Sequence, residues 1–194
     1  NCNDSQTAEV PFIRYDWLEN LNLKVPETFE ELRDVLIQFT HNDPDQNGED
    51  DTIGTMVNEY WGMVPYATNF AADHFEWYSD EMGSVTLGMF LPRHKEYLRY
   101  VKSLIDSGAI DRNIATTKFI EINDKMKAGK VGFLYQWFSH GDQEEIQKAD
   151  PNCVWKPMVP PKGVYDRGYM PSSGILREEH CISRHCKNVE AVFR

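Results

Sequence analysis

Between Asn42 and Gly54 the chain reads NDPDQNGEDDTIG, and oxygen-bearing side chains recur at every second place: Asp43, Asp45, Asn47, Glu49 and Asp51. A hard dication such as Ca2+ takes roughly six to eight oxygen ligands. A calcium loop supplies them from alternate positions, with a glycine at the sharp turn and a main-chain carbonyl just after it. Gly48 stands at that turn and Glu49 offers the carbonyl. The place where a bidentate glutamate usually closes such a loop is Gly54. D-P-D and N-G also build a solvated acidic turn with no ion, so the residues alone leave structural Ca2+ and a plain turn both open.

The run KVGFLYQWF offers a second kind of chemistry. Lys130–Gln136 is an apolar, β-rich stretch bounded by Gly129 and Ser139, as expected of a central strand covered on both faces. It delivers Trp137 and Phe138 at its carboxyl end, where open α/β sheets take their ligands. The bland alternative is that both rings are core. Catalytic patterns are thin: the sequence has no G-x-S-x-G, no phosphate-cradling glycine loop and no H-E-x-x-H. His180, Cys181, His185 and Cys186 are soft metal ligands, but zinc needs four groups converging tetrahedrally. Adjacent strand residues point to opposite faces, so these four read as ordinary strand and turn residues.

The elements that must position these residues follow from local pattern. VPFIR, Val10–Arg14, is a short apolar strand, and Asp16 with Glu19 forms a capping box opening a brief helix that holds Trp17, Leu18 and Leu21. Thr28 with Glu31 is a second capping box, and Phe29, Leu32, Val35, Leu36 and Phe39 share one helical face. The acidic loop hangs from the end of that helix. TIGTMVNEYWGMVPYATNF has no clear period and reads as mixed loop and helix, whereas WYSDEMGSVTLGMF reads as a hairpin reversing at Glu81, Met82 and Gly83. Pro92 starts a helix that buries Tyr97, Leu98, Val101, Leu104 and Ile105 and ends at Gly108. Thr117 caps the next helix, with Ile120, Met126 and Ala128 inward and Gly129 as its stop. Trp155–Gly174 is an extended Pro- and Gly-rich surface segment, followed by the apolar run GILREEHCIS and a last helix. Strands alternating with helices favour an α/β architecture.

Composition narrows the partners. The chain has 194 residues, is 41% hydrophobic and has no apolar run long enough to span a bilayer. With 31 acidic against 20 basic side chains its formal charge is −11, which argues against binding nucleic acid through the phosphate backbone. Cys2, Cys153, Cys181 and Cys186 are too few and scattered for a disulfide scaffold and leave the compartment open. A polar start over residues 1–9 and an end within the helical pattern NVEAVFR are what a piece of a longer protein would show.

The segment FIRYDWLENLNLKVPETFEELRDVLIQFTHNDPDQNGEDDTIG resembles the family 1 extracellular solute-binding proteins of bacterial ABC transporters, particularly the lipoprotein group that includes the alginate-binding proteins. An aromatic strand, a D-W-L helix, V-P-x-T with its helix and an acid-rich calcium loop occur in the family's order. YLRYVKSLIDSGAID, MKAGKVGFLYQW, WKPMVPPKG and HCISRHCKNVEAVFR continue it. The resemblance implies α/β structure as one lobe of a class II periplasmic-binding-protein-like fold. Residues 10–194 would be mainly the second lobe of a two-lobed protein more than twice this long.

The resemblance also implies a function: an oligosaccharide is bound outside the cell by a lipid-anchored monomer and handed to a membrane permease, with no catalysis. It implies a structural Ca2+ held by Asp43, Asp45, Asn47, the Glu49 carbonyl and Asp51. Thr52 stands where the family commonly has glutamate. Trp137 resembles the position from which the family stacks an aromatic ring on sugar. An indole covers a sugar's C–H face while polar groups take its hydroxyls. Phe138, Trp61, Tyr66, Trp77, Tyr135 and Tyr169 are further ring candidates, and Gln136, Asp142 and Arg167 polar ones. Two other classes are a calcium-dependent carbohydrate-binding or interaction module and a glycan-processing enzyme. The enzyme would need two carboxyls about 5–10 Å apart across a groove, and nothing in the sequence pairs them.

Overall fold

A computed structural model describes residues 10–57, 61–73, 76–79, 82–136 and 140–163. The expected N-terminal stub, Glu81 of the reversal, Trp137, Phe138 and everything from residue 164 onward, including Arg167, Tyr169 and the His/Cys cluster, lie outside the described residues.

Strand β1 (Val10–Arg14) leads directly into α1 (Tyr15–Asn20), and α2 (Phe29–His41) follows. The cap of α2 forms as its sequence dictates: Thr28 Oγ1 accepts the Glu31 N–H at 3.2 Å and the Glu31 carboxylate accepts the Thr28 N–H at 3.2 Å. Its five expected apolar residues are all buried. The box expected at Asp16 does not form. Asp16 lies inside the first turn of α1, and its carboxylate accepts from Arg14 and from the Val154 N–H, because a buried guanidinium next door is the stronger partner.

After the acidic loop come β2 (Ile53–Thr55), a 3-10 turn at Trp61–Met63 and α3 (Val64–Asn69). Strands β3 (Trp77–Ser79) and β4 (Val85–Leu87) pair antiparallel as the expected hairpin. Helix α4 (Pro92–Asp106) buries Tyr97, Tyr100, Val101 and Leu104, spaced as one helical stripe. Leu98, expected inside, is 52% exposed because it lies about a quarter-turn off that stripe, and Tyr100 packs inward instead. Gly108 follows with φ +79°, the left-handed cap position. Helix α5 (Phe119–Lys127) buries Ile122 and Met126, one turn apart. Ile120 and Ala128 are exposed, off that face. Thr117 does not cap α5; its hydroxyl donates to the Asn113 carbonyl.

Strand β5 (Val131–Gln136), α6 (His140–Ala149) and β6 (Trp155–Pro157) complete the described chain. The main sheet has the order β2-β5-β1-β6. Strand β2 is parallel to β5, and β1 is antiparallel to both β5 and β6, so β2, β5 and β6 share one direction. A parallel bridge from Thr55 to Ile110 adds a further position beyond β2. Val131, Gly132, Phe133 and Leu134 are all buried, so β5 is covered on both faces as its composition requires. Phe133 joins a cluster with Trp17, Phe29, Leu36, Phe39 and Leu104, while Leu134 joins Ile122, Met126, Ile146 and Trp155. No helix among the described residues is long and apolar enough to cross a membrane.

Candidate cation loop and ligand edge

The loop between α2 and β2 is tied by its own side chains. Asp43 accepts the Asn47 N–H on Oδ1 and the Gly48 N–H on Oδ2, each at 3.0 Å. Gly48 has φ +82°, so the turn requires the glycine the sequence places there. Asn47 Oδ1 accepts the Glu49 N–H at 2.6 Å, and its amide donates to Asp45 Oδ2 at 3.0 Å and Asp51 Oδ1 at 3.4 Å. Thr52 is buried, its hydroxyl donating to the Phe39 carbonyl at 2.8 Å, and so serves the α2 junction.

Sequence reasoning missed Lys130. Its ammonium donates to Asp45 Oδ2 at 3.2 Å and to Asp51 Oδ1 at 2.8 Å. Its only signal in the sequence is its place just ahead of the central strand. Burial raises the Asp45 pKa against the pull of Lys130, with Asp43 and Asp51 adding to the rise. The hydrogen bond from Lys130 lowers that of Asp51. For Lys130 itself, burial opposes the charge but the bonds to Asp51 and Asp45 outweigh it, so its pKa is raised.

The donor set of Asp43, Asp45, Asn47, the Glu49 carbonyl and Asp51 is oxygen only, the chemistry of a hard cation. Asp45 Oδ1 is buried with no hydrogen-bond partner, an acceptor that a cation would satisfy. Three carboxylate, imidazole or thiol groups do not converge on one point anywhere among the described residues. In the loop, Lys130 and the Asn47 amide lie between Asp45 and Asp51. The residues therefore match a Ca2+ loop in donor type and in sequence spacing, with the Lys130 ammonium lying on two of its carboxylates.

This loop leads into the amino end of β2, and Lys130 immediately precedes β5. Arg14, at the same edge, is 1% exposed and pairs with Asp16 and Asp150 at 2.6 Å each, with Nη1 donating to the Gly129 carbonyl at 2.9 Å. A polar cavity of about 210 Å³ lies between this cluster and Asp45.

The carboxyl ends of β2, β5 and β6 open at the opposite edge. Gln136 ends β5 there, so Trp137 and Phe138 follow from that edge in sequence. Trp61 begins the 3-10 turn, and Trp77, 66% exposed, lies on the separate hairpin. Tyr66 corrects the expectation: it is 1% exposed, edge-on to Phe29 and Tyr135, with its hydroxyl 3.3 Å from Thr55 Oγ1, and so is core. Its place within the α3 turn buries it. An apolar groove of about 440 Å³ beside β6, lined by Ile13, Pro26, Pro157, Met158 and Val159, was not foreseen. The prolines of WKPMVPPKG were its signal.

No family model matches the chain. It is 32% identical over 122 residues to the polygalacturonan/rhamnogalacturonan-binding protein YtcQ of Bacillus subtilis, covering 62% of this chain and 24% of that protein. It is 25% identical over 190 residues to the fructooligosaccharide ABC transporter substrate-binding protein FusA of Streptococcus pneumoniae, covering 94% of this chain and 34% of FusA. A FusA EF-hand mutant in complex with fructo-nystose superposes with a TM-score of 0.62 at 21% identity, over 87% of this chain and 35% of FusA. The alginate-binding protein AlgQ2, crystallised without calcium ion, gives a TM-score of 0.69 at 26% identity, over 84% of this chain and 34% of AlgQ2. The chain spans about a quarter to a third of the length of these relatives. Over that span it is a homologue of carbohydrate-binding ABC-transporter solute-binding proteins and has their α/β fold.

Proposed function

We propose that this chain supplies one lobe, mainly the second, of the extracellular, lipid-anchored solute-binding component of a bacterial ABC importer. The lobe binds an oligosaccharide as part of a monomer that delivers it to a membrane permease, and it turns nothing over. The observation that carries the reading is the shared direction of β2, β5 and β6, which gathers three strand ends at one edge. The sugar-binding descriptions of YtcQ and FusA support the ligand class. Trp137 stacks on the sugar, with Phe138, Trp61 and Trp77 as further rings and Gln136 as a polar contact.

Ca2+ is the structural partner, held by Asp43, Asp45, Asn47, the Glu49 carbonyl and Asp51. The EF-hand in FusA and the unpartnered Asp45 oxygen support it. The ion supplies charge neutralisation that fixes the α2–β2 junction. Loop and ligand edge are separated by the length of β5, about 20 Å for six residues, so the ion does not touch sugar.

A lobe that closes on its ligand with a second lobe presents only part of the contacts alone. Oligosaccharide titration, read by tryptophan fluorescence and NMR shifts with product analysis, should give binding no tighter than roughly millimolar, lost in Trp137→Ala, and no cleavage. Micromolar binding would sink the one-lobe reading, unchanged binding in Trp137→Ala the site, and released product the non-catalytic assignment.

A further inference from the structure

The main chain of Lys130 is fixed at both groups: its N–H donates to the Lys125 carbonyl at 3.0 Å and its carbonyl accepts the Ile53 N–H at 2.9 Å. From that anchor the side chain crosses to the loop, where Nζ lies 3.2 Å from Asp45 Oδ2 and 2.7 Å from Asp51 Oδ2. The three carboxylates of the loop differ in what they can do. Both oxygens of Asp43 are engaged by loop N–H groups, so its place is set by the backbone. Asp45 and Asp51 are held instead by the Asn47 amide and by Lys130, which alone brings positive charge. The ammonium therefore sits on the two carboxylates that an incoming dication would draw inward. Charges of the same sign about 4–5 Å apart repel strongly near a protein surface.

We propose that Lys130 is the loop's built-in counter-cation. Its ammonium holds Asp45 and Asp51 together when no ion is present, and a divalent cation must displace it to gather both carboxylates, so Lys130 sets the loop's affinity low and keeps it folded across cation concentrations. This rests on the calcium reading of the loop. It explains how the loop can lack a closing glutamate and remain structured: part of its neutralising charge comes from the neighbouring strand.

The test is calcium titration by calorimetry, with melting temperature in excess chelator, on the wild type, Lys130→Met and Lys130→Arg. Lys130→Met keeps the apolar stem and removes the charge. It should bind Ca2+ about tenfold more tightly yet melt lower than wild type in chelator, while Lys130→Arg stays within about threefold of wild type because it keeps the charge. Should Lys130→Met fail to fold, Lys130→Gln replaces it with the same expectations. Equal or weaker Ca2+ binding on removal of the charge overturns the competition while leaving the calcium reading intact, and an unchanged melt in chelator overturns the holding role. Absence of binding in wild type and every variant overturns the calcium reading, and this proposal with it.

Discussion

At the amino edge of the sheet the chain gathers charge: Arg14 with Asp16 and Asp150, and Lys130 with Asp45 and Asp51. At the carboxyl edge the same strands end at Thr55, Gln136 and Pro157, next to aromatic sequence and an apolar groove. Both edges stand on one scaffold, since β5 runs from one to the other. The difference teaches a division of labour. Charge networks with fixed partners specify how helices and strands join, while the aromatic sequence that follows β5 is of the kind that covers a sugar's C–H surface, as proposed for Trp137. An ion at the first edge would then change stability without changing the glycan recognition proposed for the second.

The largest effect should come from the part the edges share. Phe133 is fully buried, packed edge-on to Tyr135, and the Thr55 hydroxyl donates to its carbonyl. Phe133→Ala should destabilise by about 3–5 kcal/mol, and urea unfolding should show both edges lost in one transition. Separate transitions, followed by tryptophan fluorescence and far-UV circular dichroism, would mean that the edges are independent units.

Arg14→Met acts on the amino edge alone. Removing one partner from a buried ion cluster leaves Asp16 and Asp150 without their cation, for a loss of about 3 kcal/mol in urea unfolding. Saturating Ca2+ comes next. At 100-fold excess over Kd it should add about 2.7 kcal/mol, chelation should lower the melting temperature, and Asp45→Ala should abolish the difference. Oligosaccharide binding measured below the melt should be the same with and without chelator. A glycan response that vanishes with the ion would join the two edges that the structure keeps apart.

Local rules made much of this legible. Thr28 with Glu31, the five apolar residues of α2, the Val10–Arg14 strand, the hairpin pairing and Gly48 depend on neighbours within a few residues, and the structure bears each of them out. Long-range partners decided the rest. Asp16 follows the S/T/D-x-x-E pattern of a cap, yet Arg14, held by Gly129 and Asp150 at 115 and 136 residues' remove, takes its carboxylate. The aromatic content around Trp61 and Tyr66 cannot say which ring is core, since burial of Tyr66 is set by Phe29 and Tyr135, distant in sequence. Lys130 is equally silent: its role appears only when the parallel pairing of β2 with β5 brings it onto the loop.

The smallest effects should have opposite signs within one loop. The pKa of Asp51 is lowered by Lys130, so its charged form stabilises the fold above the ordinary carboxylate range, and that contribution is lost as pH falls through the depressed folded value. The pKa of Asp45 is raised, chiefly by burial, so its charged form opposes folding at neutral pH, and that penalty disappears as pH falls through the raised value. In chelator at neutral pH, Asp51→Asn should therefore lower the urea midpoint and Asp45→Asn raise it slightly. Each change should stay below about 1 kcal/mol, because the Lys130 pairs are only partly shielded from water. On acidification the Asp45→Asn difference should close first and the Asp51→Asn difference later. Same-sign shifts for the two variants would mean that Lys130, rather than burial, dominates both carboxylates, and would place the whole loop under one counter-charge.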